Sequence, residues 1–548
     1  MFTDTILFLR DGAEITASTK FGSTGEGGNL TVVNASLVEL SEGSRLLTDT
    51  GGAGNAGNLE INTGQLFLRD GSAISASVGE ESTGQGGNVT VTAESVELIG
   101  TSADGQFPSR IATTTVSSGK AGDIEINTSQ LLIRDGAAIS TATITDAPGG
   151  NLTVEADMVE LIGTSADGEL LSALSADTGG AGKAGDLEIN TQQLIVRDGA
   201  AVSSSTLNQG QGGILRVNAS DFVELRGTAD NGFASGLYAQ AFADGDAGNL
   251  IIETGELRIF EGARVTVAAG NAADIRVPPA RLLELIPPLP DIATGNAGNL
   301  EAKADLISLN NQGQIIASTD SGEGGNIDLE AQELLLLRHN SLISAEARGT
   351  GNGGNVTIDA QFVVGVRTEN SDIIANAFQG NGGRVQITTQ GIYGLKFRDR
   401  LTPLSDISAS SEFGLDGVVE INTPNIDPTV GLIPLPSFLE GPQLDQRCQG
   451  GRNQGSSSFV NTGRGGLPLS PQEISSNTVW EDLRPPSTDA NHGSDSVSIT
   501  PQESSTPTQI VEAQGWVKLP NGTIILTAHP PTATLYSSWQ TPVTCPKH

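Results

Sequence analysis

Two stretches carry the spacing of a dinucleotide cradle. Gly52-Ala53-Gly54-Asn55-Ala56-Gly57 and Gly180-Ala181-Gly182-Lys183-Ala184-Gly185 both match G-x-G-x-x-G. That pattern holds a pyrophosphate only where a helix follows, because the ligand sits on the helix N-terminus. An alternating strand pattern follows each copy here, so both read as turns. No G-K-[ST] phosphate loop occurs. A row of asparagines follows the same turns, at Asn29, Asn58, Asn88, Asn151, Asn249, Asn299, Asn326 and Asn355. Amides stacked in such a row hydrogen-bond one another and the turn backbone, so the row reads as a structural ladder.

The remaining reactive residues give thin chemistry. Arg10, Arg69, Arg134 and Arg197 each precede Asp-Gly, the reverse of the Arg-Gly-Asp order that integrins read. They read as a bend plus an exposed cation beside Glu97, Glu160 or Glu224 of neighbouring repeats, and such exposed pairs contribute little. Asp104, Asp167 and Asp230 recur on one type of inserted loop, where they could collect divalent cations. The tandem G-G-x-G-x-D-x-U-x calcium nonapeptide is absent. His339 is the only histidine in the repeats, and no nucleophile–base pattern accompanies it. These patterns imply no catalytic set, no metal site and no cofactor.

The elements that position these residues are repeats. Gly86-Gly87-Asn88-Val89-Thr90-Val91 is a small-residue turn followed by an alternating strand, and variants of it return roughly every 27–35 residues. Each repeat reads as three short strands. Asn58-Leu59-Glu60-Ile61-Asn62 faces Leu59 and Ile61 inward. Gln65-Leu66-Phe67-Leu68-Arg69 faces Leu66 and Leu68 inward, and an Asp70-Gly71 bend follows. Ala73-Ile74-Ser75-Ala76-Ser77 closes the coil with small residues. Three strands per turn with no helix between them describe an all-β, single-stranded parallel β-helix of about fourteen coils. At roughly 4.8 Å per coil it predicts a rod of about 65–70 Å. Gly100-Thr101-Ser102-Ala103-Asp104-Gly105 returns at Gly163 and, as Gly227-Thr228-Ala229-Asp230-Asn231-Gly232, once more. These insertions come at every second coil and are expected to stack on one side.

The totals fit that reading. Gly is 70 of 548 residues and aromatics are 4%, which suits a narrow aliphatic core rather than a broad aromatic one. The net charge of −35, from 64 acidic and 29 basic residues, argues against a nucleic-acid partner, which needs basic patches. It keeps long particles soluble and apart. No run of 18 apolar residues exists, so no helix is expected to span a membrane. The start, Met1-Phe2-Thr3-Asp4, has neither a basic leader region nor a cleavage pattern. Ile6–Gly12 matches Gln65–Gly71, so the sequence opens in the middle of a repeat. That predicts the C-terminal portion of something longer, or a misplaced start.

Three regions follow: a β-helix over 1–423, a Pro/Ser/Thr-rich extension and linker over 424–508, and a small hairpin segment over 509–548. Pro278-Pro279 and Ile286-Pro287-Pro288-Leu289-Pro290 read as an excursion between coils. Sixteen of 24 prolines lie from Pro424 onward, and proline removes ladder donors, so the tail is not more coil. Gly515–Leu519 and Thr523–Thr527 flank Pro520-Asn521-Gly522 as a hairpin. Cys448 and Cys545, the only cysteines, fit one disulfide in an oxidising compartment, with two free thiols as the alternative. Closing a loop of that length would contribute on the order of 4–5 kcal/mol.

Repeats and tail together resemble the cyanobacterial filamentous-haemagglutinin-like exoproteins of two-partner secretion. The tail carries the more specific signal: Asn422-Thr423-Pro424-Asn425-Ile426-Asp427-Pro428-Thr429, Thr462-Gly463-Arg464-Gly465-Gly466-Leu467-Pro468 and Trp480-Glu481-Asp482-Leu483-Arg484. Glu512-Ala513-Gln514-Gly515-Trp516 and Trp539-Gln540-Thr541-Pro542-Val543-Thr544-Cys545 complete it. The resemblance covers essentially the whole chain. It implies a large secreted β-helix, exported through an outer-membrane barrel partner, placed outside the cell or on its outer surface, and used for adhesion or surface structure. The chain departs from the family at its N-terminal secretion domain, which is absent from this sequence. The expected function is a non-enzymatic adhesin-type β-helix presenting loops to a glycan or cell-surface ligand. The alternatives are a polysaccharide-active enzyme on a β-helix, which would need clustered carboxylates with an Arg or Lys base, and an inactive fragment of a split exoprotein gene.

Overall fold

In the computed structural model, the described residues are 5–270, 293–424, 515–518 and 524–527. They contain β-strand and no α-helix. The chain divides into two compact units, Met1–Leu435 and Pro436–His548.

The first unit is a right-through stack of parallel coils. One sheet runs through fourteen successive rungs, from Ile6–Leu9 to Val418–Asn422. A second sheet of fourteen short strands runs beside it, from Glu14–Thr16 to Asp406–Ser408 with Lys396–Phe397 added at its far edge. A column of single parallel bridges, Thr19–Thr50–Val78–Thr115–Thr143–Thr178–Thr206 and onward to Ser411, closes each coil. The parallel β-helix expected from the repeat is therefore the fold.

One detail differs from the three-strand reading. The two segments expected as Asn58–Asn62 and Gln65–Arg69 run as one eleven-residue strand, Leu59–Arg69. Thr63-Gly64 looks like a break in the alternation, yet pairing to the next coil resumes in register beyond it. The strand bends there rather than ending. Pairing slips at the same place in later coils, between Thr191 and Gln193 and between Ala331 and Leu334. Among the described residues, only at Leu152–Glu155 and Met158–Ile162 does the bend separate two strands.

In-register parallel pairing turns each inward position into a column. Leu59, Val89, Ile124, Leu152, Leu187, Leu215 and Leu250 pair successively and are all at most 1% exposed. Leu66 and Leu68 begin two more such columns, while Glu60 and Asn62 on the other face are exposed. Burying each aliphatic side chain contributes about 1.5–3 kcal/mol, which offsets the ordering of a loop-rich chain.

The coil is narrow because its corner is glycine. Gly87 N–H donates across the coil to Ala76 O at 3.0 Å. A Cβ on Gly87 would lie 1.9 Å from Gly57 O of the coil below. The same geometry recurs at Gly122, Gly150, Gly185 and Gly248. This is close backbone approach, for which only glycine has room.

The expected proline-rich excursion over 278–290 lies outside the described residues. Across it, Asn249–Phe260 pairs directly with Leu300–Asn310, so the coil stack is continuous. In the second unit, Gly515–Lys518 pairs antiparallel with Ile524–Thr527, Trp516 opposite Leu526. Cys448, Cys545, the 487–508 linker and the tail motifs from Asn425 to Gln514 and beyond Thr527 lie outside the described residues.

Candidate functional site

The inserted loops are built from their own side chains. In the first, Ser102 Oγ donates to Asp104 Oδ1 at 2.5 Å, and that same oxygen accepts Gln106 N–H at 3.0 Å. Ser102 Oγ also accepts Phe107 N–H at 3.0 Å, and Thr101 bridges Pro108 in antiparallel fashion. The second loop repeats this at Ser165, Asp167, Glu169 and Leu170. In the third, Asn231 Oδ1 accepts Phe233 N–H at 2.8 Å, in the place of the aspartate. Asp104 and Asp167 thus hold their loops shut. Among the described residues no group of three or more His, Cys, Asp or Glu is arranged to hold a metal ion.

The three loops touch one another. A Cβ on Gly105 would lie 3.3 Å from Asp167 Oδ2, and Asn231 Nδ2 donates to Gly168 O at 2.9 Å. They form a continuous ridge across five coils. Each also presses on the bend of the preceding coil: Gly71, at φ +74°, has Ser102 N 2.8 Å from its Cβ position.

Serines missed in the sequence anchor these loops. Ser109, Ser172 and Ser235 are fully buried. Ser172 Oγ donates to Ile162 O at 2.6 Å and accepts Gly136 N–H at 3.0 Å. Ser109 and Ser235 do the same for Gly71 and Gly199. Their spacing matches that of the loops to within one residue, the one signal that would have found them.

The asparagine row is a ladder running along the stack. Asn58 N–H donates to Asn29 Oδ1 at 2.8 Å, and Asn88 N–H to Asn58 Oδ1 at 2.9 Å. Asp123 and Asp186 continue it on either side of Asn151. Asn299 N–H donates to Asn249 Oδ1, and the Asn326 and Asn355 amides each donate to the Oδ1 of the coil before. A second ladder through Glu26, Asn55 and Gln85, and later Asp246, Asn296, Glu323, Asn352 and Asn381, runs parallel to it.

The Arg-Asp-Gly arginines divide. Arg197 pairs with Glu160 at 3.2 Å and with Asp198 at 2.8 Å. Arg134 pairs with Asp135 at 2.7 Å. Arg69 instead stacks on Phe67, with Cζ 5.1 Å from the ring centre, and Arg10 stacks on Phe8. Glu224 is met by Arg258 at 3.5 Å.

His339 sits at a tight bend with φ +50°. Its Nδ1 is 2.8 Å from Asn310 Oδ1, and its Nε2 is 3.3 Å from Glu369 Oε1. Arg338 donates to both Glu369 oxygens at 2.7 and 2.8 Å. Those bonds hold the Glu369 carboxyl down at about 2. The cluster locks three corners together and brings no nucleophile. Farther on, Asp406 is fully buried and ion-pairs with Arg398. Its N–H donates to Asp372 Oδ1 at 2.8 Å. Burial pushes the Asp372 carboxyl up to about 6, against the pull of Arg398.

The bend of the long strands leaves an open groove of about 590 Å³ near the end of the stack. Glu330, Asp359 and Thr388 form one row of its lining, and Gln332, Gln361 and Gln390 the next. All six side chains are exposed. Comparison with protein-family models, with curated proteins and with solved structures finds no match, so this chain's fold and its surfaces are what its function is read from.

Proposed function

We propose that the chain is a non-enzymatic display rod: an adhesin-type β-helix of the filamentous-haemagglutinin kind, acting outside the cell or on its outer surface and exported through an outer-membrane barrel. The observation that supports this is the ridge made by the Gly100, Gly163 and Gly227 loops. Each loop is closed by its own hydrogen bonds, pinned by a buried serine and stacked on the next. A rigid row of turns on a stiff support suits repeated weak contacts, because avidity rises when several modules engage one surface. Among the described residues no helix is long and apolar enough to cross a membrane.

The test removes the loops. Excising Ser102–Phe107, Ser165–Leu170 and Ala229–Phe233 together should abolish binding of the purified protein to cells or glycan-coated beads, while circular dichroism stays β-rich. Unchanged binding would sink the loop-display reading. Release of unsaturated product from an acidic polysaccharide would sink the non-enzymatic one.

A further inference from the structure

The far end of the second sheet is closed by the chain itself. Between Tyr393 and Asp406 the chain first crosses to the outer side of the last short strand, where Lys396–Phe397 pairs parallel with Asp406 and Ile407. Lys396 N–H donates to Ser405 O at 3.3 Å and Arg398 N–H to Ile407 O at 3.0 Å. In earlier coils the carbonyl equivalent to Ser405 O serves the next coil. Ser109 O accepts Ala138 N–H at 3.0 Å, Ser172 O accepts Ala201 N–H at 3.0 Å, and Ser235 O accepts Arg264 N–H at 2.9 Å. The crossing therefore sits where another coil would add. Leu395 packs into the end of the core and is 8% exposed. Arg398 ion-pairs with the buried Asp406, whose Oδ2 also accepts the Thr402 hydroxyl at 2.9 Å and Thr402 N–H at 2.5 Å.

The opposite end of the stack has matching groups. Among the described residues, Ile6–Leu9 and Glu14–Thr16 pair on one side only. Arg45 N–H donates to Ala13 O and Ala17 N–H to Leu47 O, so the alternation of the strand turns Glu14 and Thr16 N–H to the open side. Ile15 holds an inward position beside fully buried Leu46, yet is 42% exposed. The long sheet ends in two complementary halves. Val418–Asn422 pairs with Arg384–Thr388, which leaves Thr389–Tyr393 without a strand on that side among the described residues. Ile6–Leu9 pairs with Leu37–Leu40, which leaves Leu30–Val33 in the same position at the other end. One half-rung stops at the bend, and the other starts just past it.

We infer that Gly394–Ser405 is an autoinhibitory strap: it takes the backbone groups to which the first coil of a second copy would bond, and so blocks end-to-end assembly of the rod. Unpaired sheet edges pair with other chains unless something covers them, and a two-residue edge bearing an exposed lysine is a poor template. A head-to-tail joint does not close on itself, so copies freed of the strap add into filaments. The inference goes beyond the display reading and does not depend on it.

The test is the mass of the full chain by light scattering over a concentration series, at high salt to screen the charge of −35. The parent should stay monomeric. Replacing Gly394–Ser405 with the shorter corner Asp135-Gly136-Ala137 of an earlier coil should raise the average mass at least about two-fold, and further with concentration, as open-ended addition requires. Electron microscopy should show rods lengthened end to end. Arg398→Ala, which leaves every coil in place, should shift mass the same way, and it decides the matter if the replacement does not fold. Glu14→Pro with Thr16→Pro, added to either strap variant, should return it to monomer. Assembly of the parent end to end, folded strap variants that both stay monomeric, or association that survives the two prolines would each overturn the inference.

Discussion

Gly57 O occupies the space that a side chain on Gly87 would need, 1.9 Å from its Cβ position. Backbone oxygen cannot swing aside as a side-chain tip can. Gly87→Ala should therefore separate two coils locally. We expect a loss of about 1–3 kcal/mol, the range for forcing a methyl group into packed structure. Chemical denaturation of the variant should show a lower midpoint. An unchanged midpoint would mean that the corner has slack the structure does not show.

Ser172 answers two backbone groups at once, Ile162 O and Gly136 N–H. Ser172→Ala leaves Gly136 N–H without its acceptor in a buried site, while Ile162 O keeps Asp135 N–H at 3.2 Å, at a cost of about 1–3 kcal/mol. Ser172→Thr keeps the hydroxyl and should recover part of the loss. Hydrogen exchange should rise first at Gly136 and across Gly163–Ser172. A uniform change along the chain would argue against a local anchor.

For Asp372 the pH dependence has a definite sign. Its carboxyl titrates near 6 in the folded chain, above the usual carboxylate range, because it is partly buried. The unfolded chain then gives up this proton more readily than the native one, so ionisation favours unfolding. The contribution of this site to stability falls as the pH rises from about 4 to about 6, then levels. Asp372→Asn keeps an acceptor for Asp406 N–H. The variant should melt higher than the parent at pH 7, and the gap should close below about pH 4. A gap independent of pH would show that the carboxyl charge is not the cause.

Asn58 Oδ1 receives the N–H of Asn88. Asn58→Ala should cost about 0.5–1.5 kcal/mol. Asn58→Asp should be close to neutral, since Asp123 accepts the corresponding bond from Asn151 at 2.8 Å. Paired denaturation curves of the two variants decide between an acceptor ladder and an amide-specific one.

The repeat made the architecture legible before any coordinates. Leu59, Ile61, Leu66 and Leu68 alternate with polar residues, and Gly-Gly-Asn marks each corner, so coil count and inward faces follow from pattern alone. The bend at Thr63-Gly64 was not legible as a bend, because a broken alternation looks the same whether a strand stops or turns. Ser109, Ser172 and Ser235 were hidden for another reason: serine is common, and their role appears only when Ile162 and Gly136 are brought to the same point. Reading the ladder by asparagine alone left out Asp123 and Asp186, which supply the same acceptor oxygen. Phe67 took Arg69 away from its expected neighbour Glu97, a choice set by side-chain packing within one strand. The groove was least visible of all. It needs residues about 29 apart, in three coils, and a concavity that no single stretch contains.

The coil stack passes from Ala269 to Thr319 as a direct neighbour contact, although the chain between them is longer than at any other junction of the stack. Register on both sides is kept by Leu250 on Leu300 and Val265 on Ile315. The junction between Gly270 and Ala293 is therefore a suture line across which the paired strands keep their register despite the longer connection. A peptide tag, an epitope or a small folded cargo spliced there would ride on the rod, and several corners of the same kind would make it a programmable scaffold whose spacing is counted in coils.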